Sequence, residues 1–175
     1  MTGYTDQAIF DTLPRATVTL GSKVNFPRNN VEKCGNIIAV SHSRDISMSV
    51  AEDAVSNIFI TLEPNNKETD KFIARSFEKD EDNFPPDAFG CLSQKEMDSI
   101  NGVIPKDANV VDFIPDVLKS EEYKNKKDWT YNTIKMIAEK FDILRCKHKE
   151  IDAKVFWNAV TRGGLQAAVY VVDSQ

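Results

Sequence analysis

The chain has 175 residues, of which 41% are hydrophobic and 28% charged, and its formal net charge is −5 at pH 7. This composition is typical of a globular protein and excludes an intrinsically disordered chain. The acidic balance argues against a general nucleic-acid binder, because contacts to phosphates require an excess of lysine and arginine. The length is sufficient for one ordinary domain, or for a domain with a small appendage, without stabilising disulfides.

The cysteines and the apolar segments predict the cellular environment. Cys34, Cys91 and Cys146 are far apart and odd in number, which favours reduced thiols over a secreted disulfide framework. The N-terminal residues lack the charged and apolar segments of a signal peptide, and the longest apolar stretches are too short to span a bilayer. We therefore predict a soluble, cytoplasmic protein that binds neither membranes nor nucleic acid.

The first part of the chain is predicted to form two strands and a helix. Residues 16–20 alternate β-branched side chains before a Gly-Ser turn, and residues 36–40 form a short apolar run typical of a buried strand. An amphipathic helix is indicated next by apolar side chains at every fourth position: Ile46, Val50, Ala54 and Ile58. Asp45 or Ser47 is expected to cap its start. Residues 59–62 either continue this helix or begin a strand.

The middle of the chain contains the predicted boundary. Residues 67–77 are expected to form a short helix with Phe72 and Ile73 turned inward. An acidic run and a Pro-Pro pair then make residues 79–90 an exposed linker or a clasp that packs on its own domain. This segment divides the chain into a strand-strand-helix unit, residues 1–78, and a helical unit, residues 91–175, unless both belong to one domain.

The clearest helix start of the sequence follows this boundary. Ser93 and Glu96 have the spacing of a capping box, in which each side chain accepts the backbone N–H of the other residue. Leu92 and Met97 have the spacing of the hydrophobic staple that often accompanies it.

The last third of the chain predicts two helices and a closing strand. Residues 128–144 place an apolar stripe on one helical face, with Asp128 as the cap. Asp152 is expected to start the next helix, which Gly163 and Gly164 would end, and residues 167–172 are predicted to be a strand. Together these patterns predict an α+β or α/β fold, with four or five helices packed on a mixed sheet.

No motif in the sequence predicts a metal site or a covalent mechanism. Cys146 and His148 form the only close pair of cysteine or histidine residues, which is too few for a tetrahedral site. A nucleophilic pair of Cys34 or Cys91 with a histidine would need contact and a lowered thiol pKa. Buried, inert cysteines are the preferred interpretation, and no cofactor is predicted.

An anion site is the one binding site for which we can name candidates. Arg162, Gly163 and Gly164 combine a guanidinium with exposed backbone amides, and Arg44 is a further candidate cation. The alternative is that Arg162 and the glycines only end a helix, with the arginine favouring the helix dipole. We prefer this alternative.

Residues 35–62 resemble the small C-terminal subdomain of ATP-grasp ligases. In that family a strand ends in a short turn that leads into an alanine-containing helix. The similarity lies in six residues: Gly35, Ser43, Arg44, Asp45, Ala51 and Ala54. An ATP-grasp enzyme also needs a nucleotide-clamping lysine and metal-binding acidic residues, and neither has a counterpart in this sequence. The resemblance therefore implies a non-catalytic piece of such a ligase, and no catalytic residue is carried over.

These observations favour a non-catalytic binding or assembly module that acts through a protein partner or self-association. An accessory part of an ATP-dependent ligase is the most specific form of this hypothesis. One alternative is a small enzyme whose site combines scattered polar residues such as His42, Arg44 and Arg162. Another is a phage or secretion-system structural protein that oligomerises through the closing strand at residues 167–172.

Overall fold

The computed structural model describes residues 11–19, 21–24, 33–74 and 85–175. The chain forms two compact units, Met1–Ile58 and Phe59–Gln175, and we describe each by itself. The described residues contain six α-helices and two small antiparallel sheets of two strands each, which confirms the predicted α+β class.

The first unit is built on a two-stranded sheet. Strand β1 (Asp11–Ala16) pairs antiparallel with β2 (Gly35–Val40), and Leu13 lies opposite Ile38 in the register. The strand predicted at residues 16–20 is therefore wrong by several positions. One further bond, from Thr17 N to Cys34 O (2.9 Å), extends the ladder before the chain turns. Residues 36–40 are a strand as predicted, but only alternate side chains are half-buried.

Helix α1 (Arg44–Ser56) follows β2 and packs against it, which confirms the helix predicted from the four-residue spacing. Its N-cap is Ser43, which makes no side-chain capping bond, rather than Asp45 or Ser47. Val50 and Ala54 are half-buried, whereas Ile46 and Ile58, the two ends of the predicted stripe, are exposed. No apolar side chain is fully buried among the described residues of this unit.

The second unit contains the remaining elements. Helix α2 (Lys67–Ala74) confirms the short helix predicted there, with Ile73 buried, while residues 59–62 form neither helix nor strand. The chain continues through α3 (Gln94–Ser99), β3 (Val103–Ile104), two 3-10 helices (Val110–Phe113 and Asp116–Lys119), α4 (Glu121–Lys124), α5 (Ile134–Leu144), β4 (Ile151–Asp152) and α6 (Ala153–Asp173). The acidic run of the predicted linker lies outside the described residues.

The hydrophobic core of the second unit forms between α5 and α6. Phe156 packs edge-on against both Phe141 and Trp157, with ring centroids 5.0 Å apart in each pair. A smaller cluster joins α2 to α6 through Ile73 and Tyr170. Burial and a hydrogen bond to Asp70 raise the pKa of the Tyr170 phenol, which donates to Asp70 Oδ1 over 2.6 Å.

Helix α6 begins where predicted and then differs from the prediction. Asp152 caps it by accepting the amide of Val155 (2.9 Å). The backbone leaves helical geometry at Gly163 and Gly164, but the helix resumes and continues to Asp173. The closing strand predicted at residues 167–172 is therefore wrong. Apolar residues in this stretch are buried beside α2 and α5 on a helix, and a continuous apolar run does not distinguish a buried helix from a buried strand.

The capping box at the start of α3 is confirmed. The Ser93 hydroxyl accepts the amide of Glu96 (3.3 Å), and a Glu96 carboxylate oxygen accepts the amide of Ser93 (2.8 Å). Leu92 is buried in the main core, and Met97 packs against that core. The hydrogen bonds from Ser93 lower the pKa of Glu96.

We predict that Ser93→Ala destabilises the protein by about 1 kcal/mol near neutral pH, while Ser93→Asp retains most of the stability. A carboxyl with a lowered folded-state pKa stabilises the fold above its unfolded-state pKa, and this contribution disappears as the pH falls through the folded-state value. The stability difference between the wild type and Ser93→Ala in urea unfolding should therefore narrow in acid, where the bond from the Ser93 hydroxyl to the Glu96 carboxylate is lost and the bond from Glu96 N to Ser93 Oγ remains. A difference that stays constant as the pH falls through the lowered folded-state pKa of Glu96 would contradict this linkage.

We also predict that Gly164→Ala destabilises the second unit by about 3 kcal/mol. Gly164 has a φ of +60°, and an added Cβ would lie 2.8 Å from Asp128 Oδ2. Gly102→Ala is the matched control, because Gly102 has a φ of +88° with no atom within 4 Å of the added carbon. It should cost only the backbone strain, about 1 kcal/mol. Equal unfolding midpoints for the two variants would contradict the steric argument.

Candidate binding surface

Residues 85–90 lie against the break in α6. The amide of Ala88 donates to Arg162 O and that of Phe89 to Thr161 O, both over 2.9 Å. These carbonyls belong to the last turn before the glycines, where the helix no longer supplies donors. Of the two interpretations of this segment, the clasp on its own domain is the one that these contacts support.

The Arg162 side chain is held by the same segment. Its side chain is 3% exposed, and Nη1 donates to both carboxylate oxygens of Asp87 over 2.9 and 3.1 Å. Nη2 lies 2.7 Å from the sulfur of Cys91. The anion beside Arg162 in this arrangement is therefore a carboxylate of the same chain.

The other residues singled out from the sequence occupy separate environments. Gly163 and Gly164 are buried beside Arg162, whereas Arg44 is exposed at the start of α1 in the first unit. His148 is buried, and its ring nitrogens face Lys149 O (2.6 Å) and Ala108 O (2.9 Å). Both nitrogens thus have partners within the fold. Of the other named side chains, His42 and Cys146 are exposed, whereas Cys34 and Cys91 are half-buried, so the predicted burial of the cysteines is wrong.

The most unusual surface of the second unit is a tight turn at residues 128–132, which we call the aromatic turn. The sequence predicted a helix starting at Asp128, and this start is wrong. Helix α5 begins at Ile134, and its cap is Thr133, whose hydroxyl accepts the amide of Met136 (3.3 Å). The Asp128 side chain organises a turn before the helix instead of capping it.

One buried carboxylate oxygen holds the aromatic turn together. Asp128 is 4% exposed, and its Oδ1 accepts three hydrogen bonds: from Thr130 N (2.9 Å), Thr130 Oγ1 (2.8 Å) and Asn132 N (2.9 Å). The backbone closes the same loop, because Asp128 N donates to Asn132 O and Tyr131 N to Asp128 O. Lys140 on α5 donates to Asn132 Oδ1 over 2.7 Å. The turn is therefore fixed by its own side chains and by the following helix.

The second carboxylate oxygen of Asp128 lies close to Gly164 in α6. A methyl group added at Gly164 would lie 2.8 Å from Asp128 Oδ2 and 3.8 Å from Gln166 Oε1. Among the described residues, neither oxygen has a hydrogen-bond partner. The missing side chain at Gly164 leaves room for this carboxylate.

Polar and aromatic residues alternate along the aromatic turn. Asp128 and Asn132 are buried, and Thr130 is half-buried, whereas Trp129 is 46% and Tyr131 40% exposed. Tyr131 has a φ of +63°, a backbone conformation that is uncommon for a residue of this kind. Strained backbone of this type persists where the surrounding structure fixes it, and it clusters at functional sites. The turn thus presents two large aromatic side chains from a rigid, polar base.

Sequence analysis missed this surface because the apolar stripe of α5 was extended back to Asp128. The signal was present in the string Asp-Trp-Thr-Tyr-Asn, since Asp, Thr and Asn favour turns in which the side chain binds the local backbone. Asp is also a common helix cap, so the residue type alone did not separate the two structures.

Comparison with protein-family profiles, curated proteins and solved structures finds no significant match to this chain. No helix among the described residues is long and apolar enough to cross a membrane. In the same part of the chain, no group of three or more His, Cys, Asp or Glu side chains is placed to hold a metal ion. The geometry of the aromatic turn is therefore the main guide to function.

We predict that Asp128→Ala destabilises the second unit by about 3 kcal/mol, because it leaves buried donors of Thr130 and Asn132 unsatisfied. Trp129→Ala should change the unfolding free energy by less than about 1 kcal/mol, since its side chain is half exposed. Acrylamide quenching gives a second measurement: Trp129 should be accessible, whereas Trp157 is fully buried. Equal stability losses in the two variants would contradict the proposed role of Asp128.

Proposed function

We propose that this protein is a non-catalytic binding module that engages a protein partner through the aromatic turn. The observation that carries this proposal is the pair of exposed rings, Trp129 and Tyr131, fixed by the buried Asp128 carboxylate. Trp and Tyr are the residue types most enriched at the energetic centres of protein interfaces. A rigid anchor also loses little conformational entropy on binding.

The expected partner is a protein with an apolar pocket that accepts an aromatic side chain. Thr130 and Tyr131 carry hydroxyl groups, so a rim of hydrogen-bonding residues around such a pocket would fit the turn. We further propose that the protein is cytoplasmic and that it serves as an accessory part of an ATP-dependent ligase. The odd number of widely spaced cysteines supports the proposed reducing compartment.

Site-specific photo-crosslinking tests the proposal in the 175-residue chain. A photoreactive residue replaces Trp129 in one variant and Phe113 in the control, since Phe113 is a similarly exposed aromatic residue of the same unit. We expect one protein to be captured from position 129 and not from position 113. That protein is then purified, and its binding to the wild-type chain is measured by titration. Identical capture from both positions would contradict the proposal.

We predict that Trp129→Ala weakens binding of the captured partner at least about tenfold, or about 1.4 kcal/mol. Phe113→Ala should leave the affinity within about twofold, because a residue outside the interface contributes little. The intrinsic fluorescence of Trp129 should also shift on binding, while the buried Trp157 gives a constant background. Unchanged affinity in Trp129→Ala would show that the aromatic turn is not the anchor.

Tyr131→Gly separates binding from stability. Glycine at position 131 removes the strain of the positive φ, which stabilises the fold. Loss of the partly exposed ring removes packing energy, which destabilises it. Because the two effects offset each other, the unfolding free energy should change by less than about 1 kcal/mol. Binding should nevertheless weaken at least about tenfold, since an aromatic anchor is removed. If stability falls strongly, or if binding is retained, Tyr131 serves the fold rather than the partner.

A further inference from the structure

The first unit contains a sheet edge whose hydrogen-bonding groups have no described partner. In an antiparallel pair, residues alternate between those bonded to the neighbouring strand and those whose backbone groups point away from it. The bond from Thr17 N to Cys34 O fixes this alternation along the register. The backbone N–H and C=O groups that point to the outer side of β2 therefore belong to Gly35, Ile37 and Ala39.

The opposite edge of the sheet is blocked by a proline. Pro14 of β1 lies opposite Ile37, and the same alternation directs its nitrogen to the outer side of β1. Proline has no N–H, so this edge lacks a donor at its centre, a common protection against strand pairing. The two edges of the sheet thus differ, and only β2 offers a complete row of donors and acceptors.

The β2 strand lacks two of the usual edge protections, since its six residues include no proline and no charged side chain. Ile38 is 45% and Val40 59% exposed. Among the described residues, no hydrogen bond reaches the outward backbone groups of Ile37 or Ala39. Exposed apolar edges of this kind are sites at which another strand adds to a sheet.

We propose that the outer edge of β2 pairs antiparallel with the same edge of a second copy of this chain. With Ile37 on the two-fold axis, Ile37 of one copy lies opposite Ile37 of the other, and Gly35 lies opposite Ala39. All three outward residues then exchange both of their backbone hydrogen bonds, as a closed two-fold interface requires. An uncharged strand brings no like charges together in this arrangement.

The resulting β1–β2–β2–β1 sheet has four strands with Pro14 on both outer edges. A two-stranded sheet is marginal in water, whereas three or more strands with an apolar face are stable. The first unit has no fully buried apolar side chain among its described residues, so it gains most from such an extension. This inference rests on a different unit from the aromatic turn and does not depend on the proposed function.

Light scattering coupled to size exclusion tests the inference on the full chain over a series of concentrations. We expect a mass of twice 19.7 kDa at high concentration and a shift toward the monomer on dilution. Ile38→Lys adds a charge beside the pairing edge and should raise the dissociation constant at least about tenfold. Ser49→Lys adds the same charge at an exposed position of α1 and should leave it unchanged.

Hydrogen exchange identifies the edge that is used. The amides of Asn36, Ile38 and Val40 are bonded to β1 and should be protected in both monomer and dimer. The amides of Ile37 and Ala39 should gain at least about tenfold protection only at concentrations where the dimer forms. A monomer at every concentration overturns the inference, and so does a dimer in which Ile37 and Ala39 exchange as fast as in the monomer.

Discussion

The buried carboxylate of Asp128 is the group on which the geometry of the second unit depends. Its Oδ1 accepts three hydrogen bonds that close the aromatic turn, and its Oδ2 lies where a side chain at residue 164 would be. The turn supplies the donors that satisfy Oδ1 of this buried carboxylate, so it cannot change shape without leaving that oxygen unsatisfied as well. This requirement fixes the directions of Trp129 and Tyr131 before any partner is present.

The break in α6 is the second half of the same arrangement. A helix that loses its regular geometry leaves carbonyl groups without intrahelical donors, and the amides of Ala88 and Phe89 supply them. Arg162 and Asp87 hold the clasp in place with a buried ion pair. Such a pair adds little net stability over apolar packing, but removal of one member leaves a buried charge. The ion pair therefore acts mainly by fixing the position of residues 85–90.

Local signals in the sequence were sufficient for two of the helix starts. The Ser93–Glu96 capping box and the Asp152 cap depend on residues three positions apart, and both were predicted correctly. The strand at residues 167–172 was wrong because burial between distant elements decided it. The helix start at Asp128 was wrong because aspartate both caps helices and closes local turns, and here it closes a turn. The glycine pair indicated a break, but only the packing of α6 against α2 and α5 determines that the helix resumes.

The two surfaces proposed for binding differ in their physical basis, and this difference follows from burial. The second unit has a large core, so it is able to hold a strained residue such as Tyr131 in a fixed conformation. The described part of the first unit has no such core, and its β2 edge offers unpaired backbone groups rather than a fixed side chain. Side-chain anchors select a partner by the shape of its pocket, whereas a strand edge accepts any compatible strand unless charge or proline prevents it. In the proposed dimer, the choice of partner at β2 must therefore come from the two-fold symmetry of the pairing and from the protein concentration. At the aromatic turn, the choice of partner would come from the fit between the aromatic side chains and the partner's pocket.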